Sequence, residues 1–168
     1  GVSGSAMQYL NYFKREHSAI FPFFTPYMPY TYTMESMPFY NVKSPYTELA
    51  YWGTLLANKQ MEETNIKFLH TQNFTPSFNF SILYKRNGAS GILENEKTDN
   101  RTFAITGNYI GKRYVAQGGY IFSRVKRAEN GGVADLSMVM DTVIDAKTIP
   151  ITLDDADTKV KRNTIFIT

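Results

Sequence analysis

The sequence predicts an all-β protein, an antiparallel transmembrane β-barrel of which about seven strands fall within these 168 residues. Three observations carry that reading. Several stretches alternate apolar and polar residues with period two, which marks strands with one apolar face. The connections between them alternate between tight turns and long polar loops, the arrangement of outer-membrane barrels. The chain holds twelve tyrosines and twelve phenylalanines, yet no run approaches the roughly 18 to 20 apolar residues of a membrane-spanning helix. A chain of this kind can cross a membrane only as a closed barrel, because closure pairs every strand's backbone groups where no water is available.

Taken in order, residues 7–14 give a weak strand signal, rich in aromatic residues but imperfect in alternation. Residues 17–45 form an irregular, folded-back segment, since Pro22, Pro26, Pro29, Pro38 and Pro45 cannot donate to a continuous ladder. Residues 46–56 and 64–73 are further weak strands, with 58–60 as a short outer loop between them. The clearest strand is 77–85, where Phe78, Phe80, Ile82 and Tyr84 alternate with Asn79 and Ser81 and Leu83 is the one exception. In the next, Phe103, Ile105, Gly107 and Tyr109 oppose Thr102, Ala104, Thr106 and Asn108. A third, from Arg113, sets Tyr114, Ala116, Gly118, Tyr120 and Phe122 against Gln117, Gly119 and Ser123, with Val115 and Ile121 making the second face mixed. Residues 160–168 close the series.

Residues 74–76 and 110–112 read as tight periplasmic turns, and 86–101 and 125–159 as long outer loops rich in Gly, Asn and Asp. The whole of 1–168 is then part of one barrel domain. The expected lipid-facing set is Phe78, Phe80, Ile82 and Tyr84, with Phe103, Ile105 and Tyr109, and then Tyr114, Tyr120 and Phe122. Rings near both ends of the strands suit two aromatic girdles. The opposite, lumen-facing set is Asn79, Ser81, Thr106, Asn108 and Gln117. On this reading arginine is costly at Phe80 and costs far less at Asn79.

Little in the chain speaks for covalent chemistry or a cofactor. His17 and His70 are the only histidines and stand at no metal-ligand spacing; His70 reads as a strand residue with a hydrogen-bond partner. Asp135, Asp141, Asp145, Asp154, Asp155 and Asp157 match no calcium-loop pattern and read as a solvated loop. Gly88, Gly91, Gly131 and Gly132 lack the Lys-Ser/Thr ending of a phosphate loop and read as turn glycines. No Gly-x-Ser-x-Gly elbow is present, and no catalytic residue or metal site is assigned. There is no cysteine and so no disulfide. The net charge of +3 is scattered, unlike the clustered stripe that follows nucleic-acid phosphates, so nucleic acid is not an expected partner.

Four separated motifs then bear on kinship. They are Asn41-Val-Lys-Ser-Pro-Tyr-Thr-Glu-Leu-Ala-Tyr51, His70-Thr-Gln-Asn-Phe-Thr-Pro-Ser-Phe-Asn-Phe80, Gly111-Lys-Arg-Tyr114 and Glu129-Asn-Gly-Gly132, with Ile149-Pro-Ile-Thr-Leu153 following in the long loop. Together they resemble the putative porin family of the Bacteroidetes over nearly the whole chain. The resemblance implies an outer-membrane barrel and a channel for small solutes. It also implies that these residues are a fragment of a longer protein that begins with a secretion signal. It transfers no catalytic residue. Expected partners are outer-membrane lipid and other outer-membrane proteins meeting strand edges or loops. The competing readings are an accessory barrel that binds a partner without conducting, and a soluble ligand-binding barrel with its apolar side turned inward.

Overall fold

The computed structural model describes residues 2–14, 24–54, 62–140 and 145–168. Among these are six strands: β1 Tyr46–Gly53, β2 Glu63–Thr75, β3 Phe78–Ser90, β4 Lys97–Ile110, β5 Val115–Glu129 and β6 Ala156–Ile167. They form one antiparallel sheet in the order β1-β2-β3-β4-β5-β6, each strand pairing with its neighbour in sequence. Such a meander is what hairpin connections produce when successive strands alternate in direction. The sheet is open, with β1 and β6 at its edges.

The registers stack like with like across the sheet. On one face Phe68, Tyr84, Phe103 and Phe122 are direct cross-strand neighbours in a single row. The next row down is His70, Ile82, Ile105, Tyr120 and Ile165, and the one after it Gln72, Phe80, Gly107, Gly118 and Ile167. On the other face Asn73, Asn79, Asn108 and Gln117 form one row and Thr71, Ser81 and Thr106 the row beside it. Period-two alternation in each strand thus becomes two chemically distinct faces.

Four expectations need correction. Residues 7–14 form no strand, only a single 3₁₀ turn at Tyr12–Lys14; their aromatic content reflects exposed Tyr9, Tyr12 and Phe13 rather than ladder pairing. Six strands, not seven, are therefore described. The loop drawn over 86–101 shrinks to 91–96, because β3 runs on to Ser90 and β4 starts at Lys97, with Arg86↔Arg101 and Asn87↔Asn100 in register. Polar side chains in this stretch alternate correctly between the faces, and a polar strand end looks like a loop to a hydrophobicity criterion. The second long loop narrows likewise to 130–155. Tyr114 and Arg113 lie in the turn before β5, where the Gly111 amide donates to the Tyr114 carbonyl at 2.9 Å. The short loop at 58–60, His17 and Asp141 lie outside the described residues.

Residues 24–45 are irregular as the prolines required, with a 3₁₀ segment at Thr25–Tyr30. They lie across the polar face of the sheet as a strap. Its Met37 joins Leu69, Leu83, Ala104, Ile121 and Phe166 in a buried cluster, with Tyr32, Phe39 and Tyr40 packed against them. A second cluster puts Phe24 and Tyr27 on Val125, flanked by Met28 and Val160. Leu83 and Ile121, the residues that broke the alternation, are each 1% exposed. They are apolar because the strap covers them, and Leu69, Leu83, Ala104 and Ile121 form one continuous cross-strand row beneath it.

Candidate functional site: a polar sheet face beneath an N-terminal strap

All five residues expected to line a lumen lie on the strap-covered face. Asn79 and Ser81 belong to one hydrogen-bonded knot: the Asn79 amide donates to Thr71 Oγ1 at 3.0 Å and to Asn73 Oδ1 at 2.6 Å, and the Ser81 hydroxyl donates to Thr71 Oγ1 at 3.0 Å. Thr106 pairs across from Ser81, Asn108 from Asn79, and Gln117 from Asn108. Asn79, Ser81, Thr106 and Asn108 are buried, whereas Gln117 is half-buried. A buried polar group must be satisfied or it destabilises the fold, and this knot satisfies Asn79. The burial of Asn79 argues against the expectation that arginine costs far less there than at Phe80, because it would displace three polar partners in a closed space. Of the five, Gln117 is the one that is not buried.

The same face holds polar residues that sequence reasoning passed over, because the loop drawn over 86–101 concealed them. Asn65, Asn87 and Asn100 form a cross-strand row, with the Asn87 amide donating to Asn65 Oδ1. The continued alternation of Asn87 with Ala89 and of Thr98 with Asn100 and Thr102 was the available signal. This row is where the start of the chain is anchored. Thr98 Oγ1 donates to the Ser3 carbonyl at 2.6 Å and the Asn100 amide donates to the Gly4 carbonyl at 2.9 Å. Gly4 has φ of +83°, and a Cβ there would stand 2.6 Å from Asn87 Oδ1 and 2.9 Å from Asn100 Nδ2. Only glycine combines that backbone with so close an approach. At the far end of the strap, the Val42 amide donates to Asn73 Oδ1 at 3.1 Å and the Asn73 amide to Asn41 Oδ1 at 2.7 Å. The first family motif thus begins by docking onto the second.

Not every polar atom on this face is matched. Asn87 Oδ1, Asn100 Oδ1 and Asn108 Oδ1 are buried without a hydrogen-bond partner among the described residues. Lys67 lies 2.8 Å from Glu48 in a half-exposed ion pair, worth about 1 kcal/mol or less. Lys85 stands 5.9 Å from the Tyr32 ring centroid and Arg162 5.5 Å from that of Phe24, so two cations of this face are stacked on strap aromatics.

The opposite face carries the expected apolar set. Phe78, Phe80, Ile82 and Tyr84 of β3, Phe103, Ile105 and Tyr109 of β4, and Tyr120 and Phe122 of β5 all point to this side by register. None of them is buried, and Ile165 and Ile167 of β6 are 80% and 86% exposed. Phe74, expected in the turn, lies instead in the last residues of β2 and stacks on Phe78 with centroids 6.3 Å apart. His70 sits on this face with Nδ1 2.8 Å from Thr47 Oγ1, the satisfied strand histidine expected for it. Among the described residues no group of acidic or histidine side chains could hold a metal ion, and Asp135 instead caps a loop turn. The Ser137 hydroxyl and amide hold its carboxyl below the usual value.

The base of the long loop is ordered by two further family motifs. Gly131 and Gly132, with φ of +66° and +89°, turn the chain so that Val133 bridges Ile151. The Leu153 amide then donates to the Asn130 carbonyl at 2.9 Å. Asn95, from the β3–β4 loop, donates to the Glu129 carbonyl at 3.0 Å and ties the two loops together.

An antiparallel meander with one exposed apolar face and one polar face filled by its own chain has the construction of an outer-membrane barrel wall, left open here. The chain belongs to the family described as Putative porin, whose model matches residues 1–168. No curated protein matches it, and no solved structure does. Membership points in general to a porin-like protein of the outer membrane with a transport or structural role, rather than an enzymatic one.

Proposed function

We propose that these residues form part of the wall of an outer-membrane channel for small polar solutes, with the face of Phe80, Ile105 and Tyr120 towards lipid and the face of Asn79, Thr106 and Gln117 towards the lumen. The observation that supports this best is the extent of the two-faced pattern. Apolar side chains continue in register across β2 to β6 with no cover among the described residues, and so broad an exposed apolar surface is stable only against lipid or another apolar surface. Strands of 13 to 15 residues in β2 to β5 exceed the roughly 9 to 11 needed to cross the hydrocarbon layer, which leaves their polar loop-side ends in the headgroup region and beyond.

The strap favours a second reading beside the first. It buries most of the polar face described here, so a barrel of small circumference would be plugged and would serve as a scaffold binding another outer-membrane component. A liposome-swelling assay on the full-length protein separates the two. Swelling in a small sugar that falls off steeply with sugar size supports the channel. The absence of swelling with protein that is folded and inserted supports the scaffold.

A further inference from the structure

Above the aromatic row of Phe68, Tyr84, Phe103 and Phe122 lies a row of another kind. Two residues further towards the loops, Arg86 pairs directly with Arg101, Arg101 with Arg124, and Arg124 with Lys161. The next row contains Lys126 opposite Lys159. Like charges directly opposed across a ladder destabilise it, and this face sets four cations side by side. The carboxylate among them is Asp99, which lies 3.0 Å from Arg86 Nε, 2.8 Å from Arg101 Nη2 and 2.6 Å from Arg124 Nη2. Asp157 is engaged by Lys126 at 3.4 Å. One carboxylate shared by three guanidiniums leaves a net positive site, and Arg124 Nε is buried without a partner among the described residues.

We propose that this row binds the phosphate of an outer-leaflet glycolipid headgroup, an inference that rests on the lipid-facing assignment of this side of the sheet. Depth is the first reason. Two strand residues span about 6.7 Å, so the guanidiniums stand just above the aromatic rings, where headgroup phosphates meet the hydrocarbon boundary. Geometry is the second, because arginine forks bind phosphate oxygens through paired N–H donors and tolerate partial burial better than lysine. The third is the neighbouring surface. A groove of about 580 Å³ opens directly above, its charged lining made of Arg86, Lys97 and Lys126 with Glu62, Asp99, Asp155 and Asp157. Its mixed charge suits the hydroxyls of a saccharide, while the arginine row supplies the net charge for the phosphate. At the other end of the same face the β4–β5 turn offers only Lys112 and Arg113, so the site belongs to the loop side alone.

The test uses the full-length protein in nanodiscs of phosphatidylethanolamine doped with lipid A or with enzymatically dephosphorylated lipid A. Co-purified glycolipid is measured by native mass spectrometry after transfer to detergent. The proposal expects lipid A to be retained at least tenfold over its dephosphorylated form, and the preference to vanish in Arg101→Gln/Arg124→Gln. Asp99→Asn, which frees the guanidiniums from their internal competitor, should raise retention several-fold. Heat-modifiable migration on gels confirms that each variant is folded. Equal retention of the two lipids by the wild type, or an unchanged preference in a folded double variant, overturns the proposal. So does displacement of lipid A by millimolar inorganic phosphate alone, which would mark a site for the free anion. A photoreactive group at Ile105 keeps this failure distinct: acyl-chain labelling without lipid A preference leaves the lipid-facing assignment standing, whereas no acyl labelling removes that assignment itself.

Discussion

The side-chain amide of Asn100 donates to the carbonyl of Gly4 at 2.9 Å, joining β4 to the start of the chain across 96 positions. With the neighbouring bond from Thr98 to Ser3 it fixes residues 3 and 4 on the polar face. Gly4→Val would force a branched side chain into a left-handed backbone and into Asn87 and Asn100. It should cost the anchor about 1 to 3 kcal/mol. The expected result is a folded protein whose residues 2–14 lose hydrogen-exchange protection. Unchanged protection would mean that the anchor does not hold this segment.

The row beneath the strap gives a second prediction. Leu83 is 1% exposed between Leu69 and Ala104 and packs in the cluster that holds Met37. Leu83→Ala should destabilise the protein by about 2 to 5 kcal/mol, read as a lower urea midpoint for refolding into vesicles. Leu49→Ala, at a site 76% exposed on the other face, should shift the midpoint far less.

Charge placed on the two faces should have unequal effects. Phe80→Arg should cost about 2 to 4 kcal/mol if the residue lies near the bilayer midplane. Gln117→Arg, on the half-buried polar position opposite Asn108, should cost under about 1 kcal/mol. Equal penalties in the same refolding assay would count against the assignment of the faces.

Orientation can be read by labelling, since the chain has no cysteine and any introduced thiol is unique. Ser137→Cys, in the loop between β5 and β6, should react with an impermeant maleimide on intact cells. Lys112→Cys, in the β4–β5 turn, should react only after the outer membrane is permeabilised. The reverse pattern would invert the topology and with it the leaflet of the arginine row.

Much of this architecture was legible in the sequence, and the misses have physical causes. The faces of β3 and β4 were readable because Phe78 to Tyr84 and Phe103 to Tyr109 alternate with polar residues, and register then propagates that parity to the neighbouring strands. The loop-side ends were missed because Arg86, Asn87, Asp99 and Asn100 are polar on both faces: a strand that leaves the hydrocarbon layer loses its alternation in hydrophobicity while keeping its alternation in direction. The strap's path was not readable, since Met37 meets Leu83 through tertiary packing that no local period encodes. Its trace was nonetheless visible. Leu83 and Ile121 broke the pattern because they answer to the strap, and they are direct cross-strand neighbours of Ala104.

The claim on which the account depends is that one sheet face meets lipid and the other does not. Nitroxide labels at single introduced cysteines along 102–109 of β4, in the full-length protein reconstituted into vesicles, test it directly through collisional access to oxygen dissolved in the bilayer. High oxygen access is expected at 103, 105, 107 and 109 and low access at 102, 104, 106 and 108, a period of two that continues to the last residue of the scan. Uniform access along β4, or high access at the Thr102, Thr106 and Asn108 positions, would contradict it.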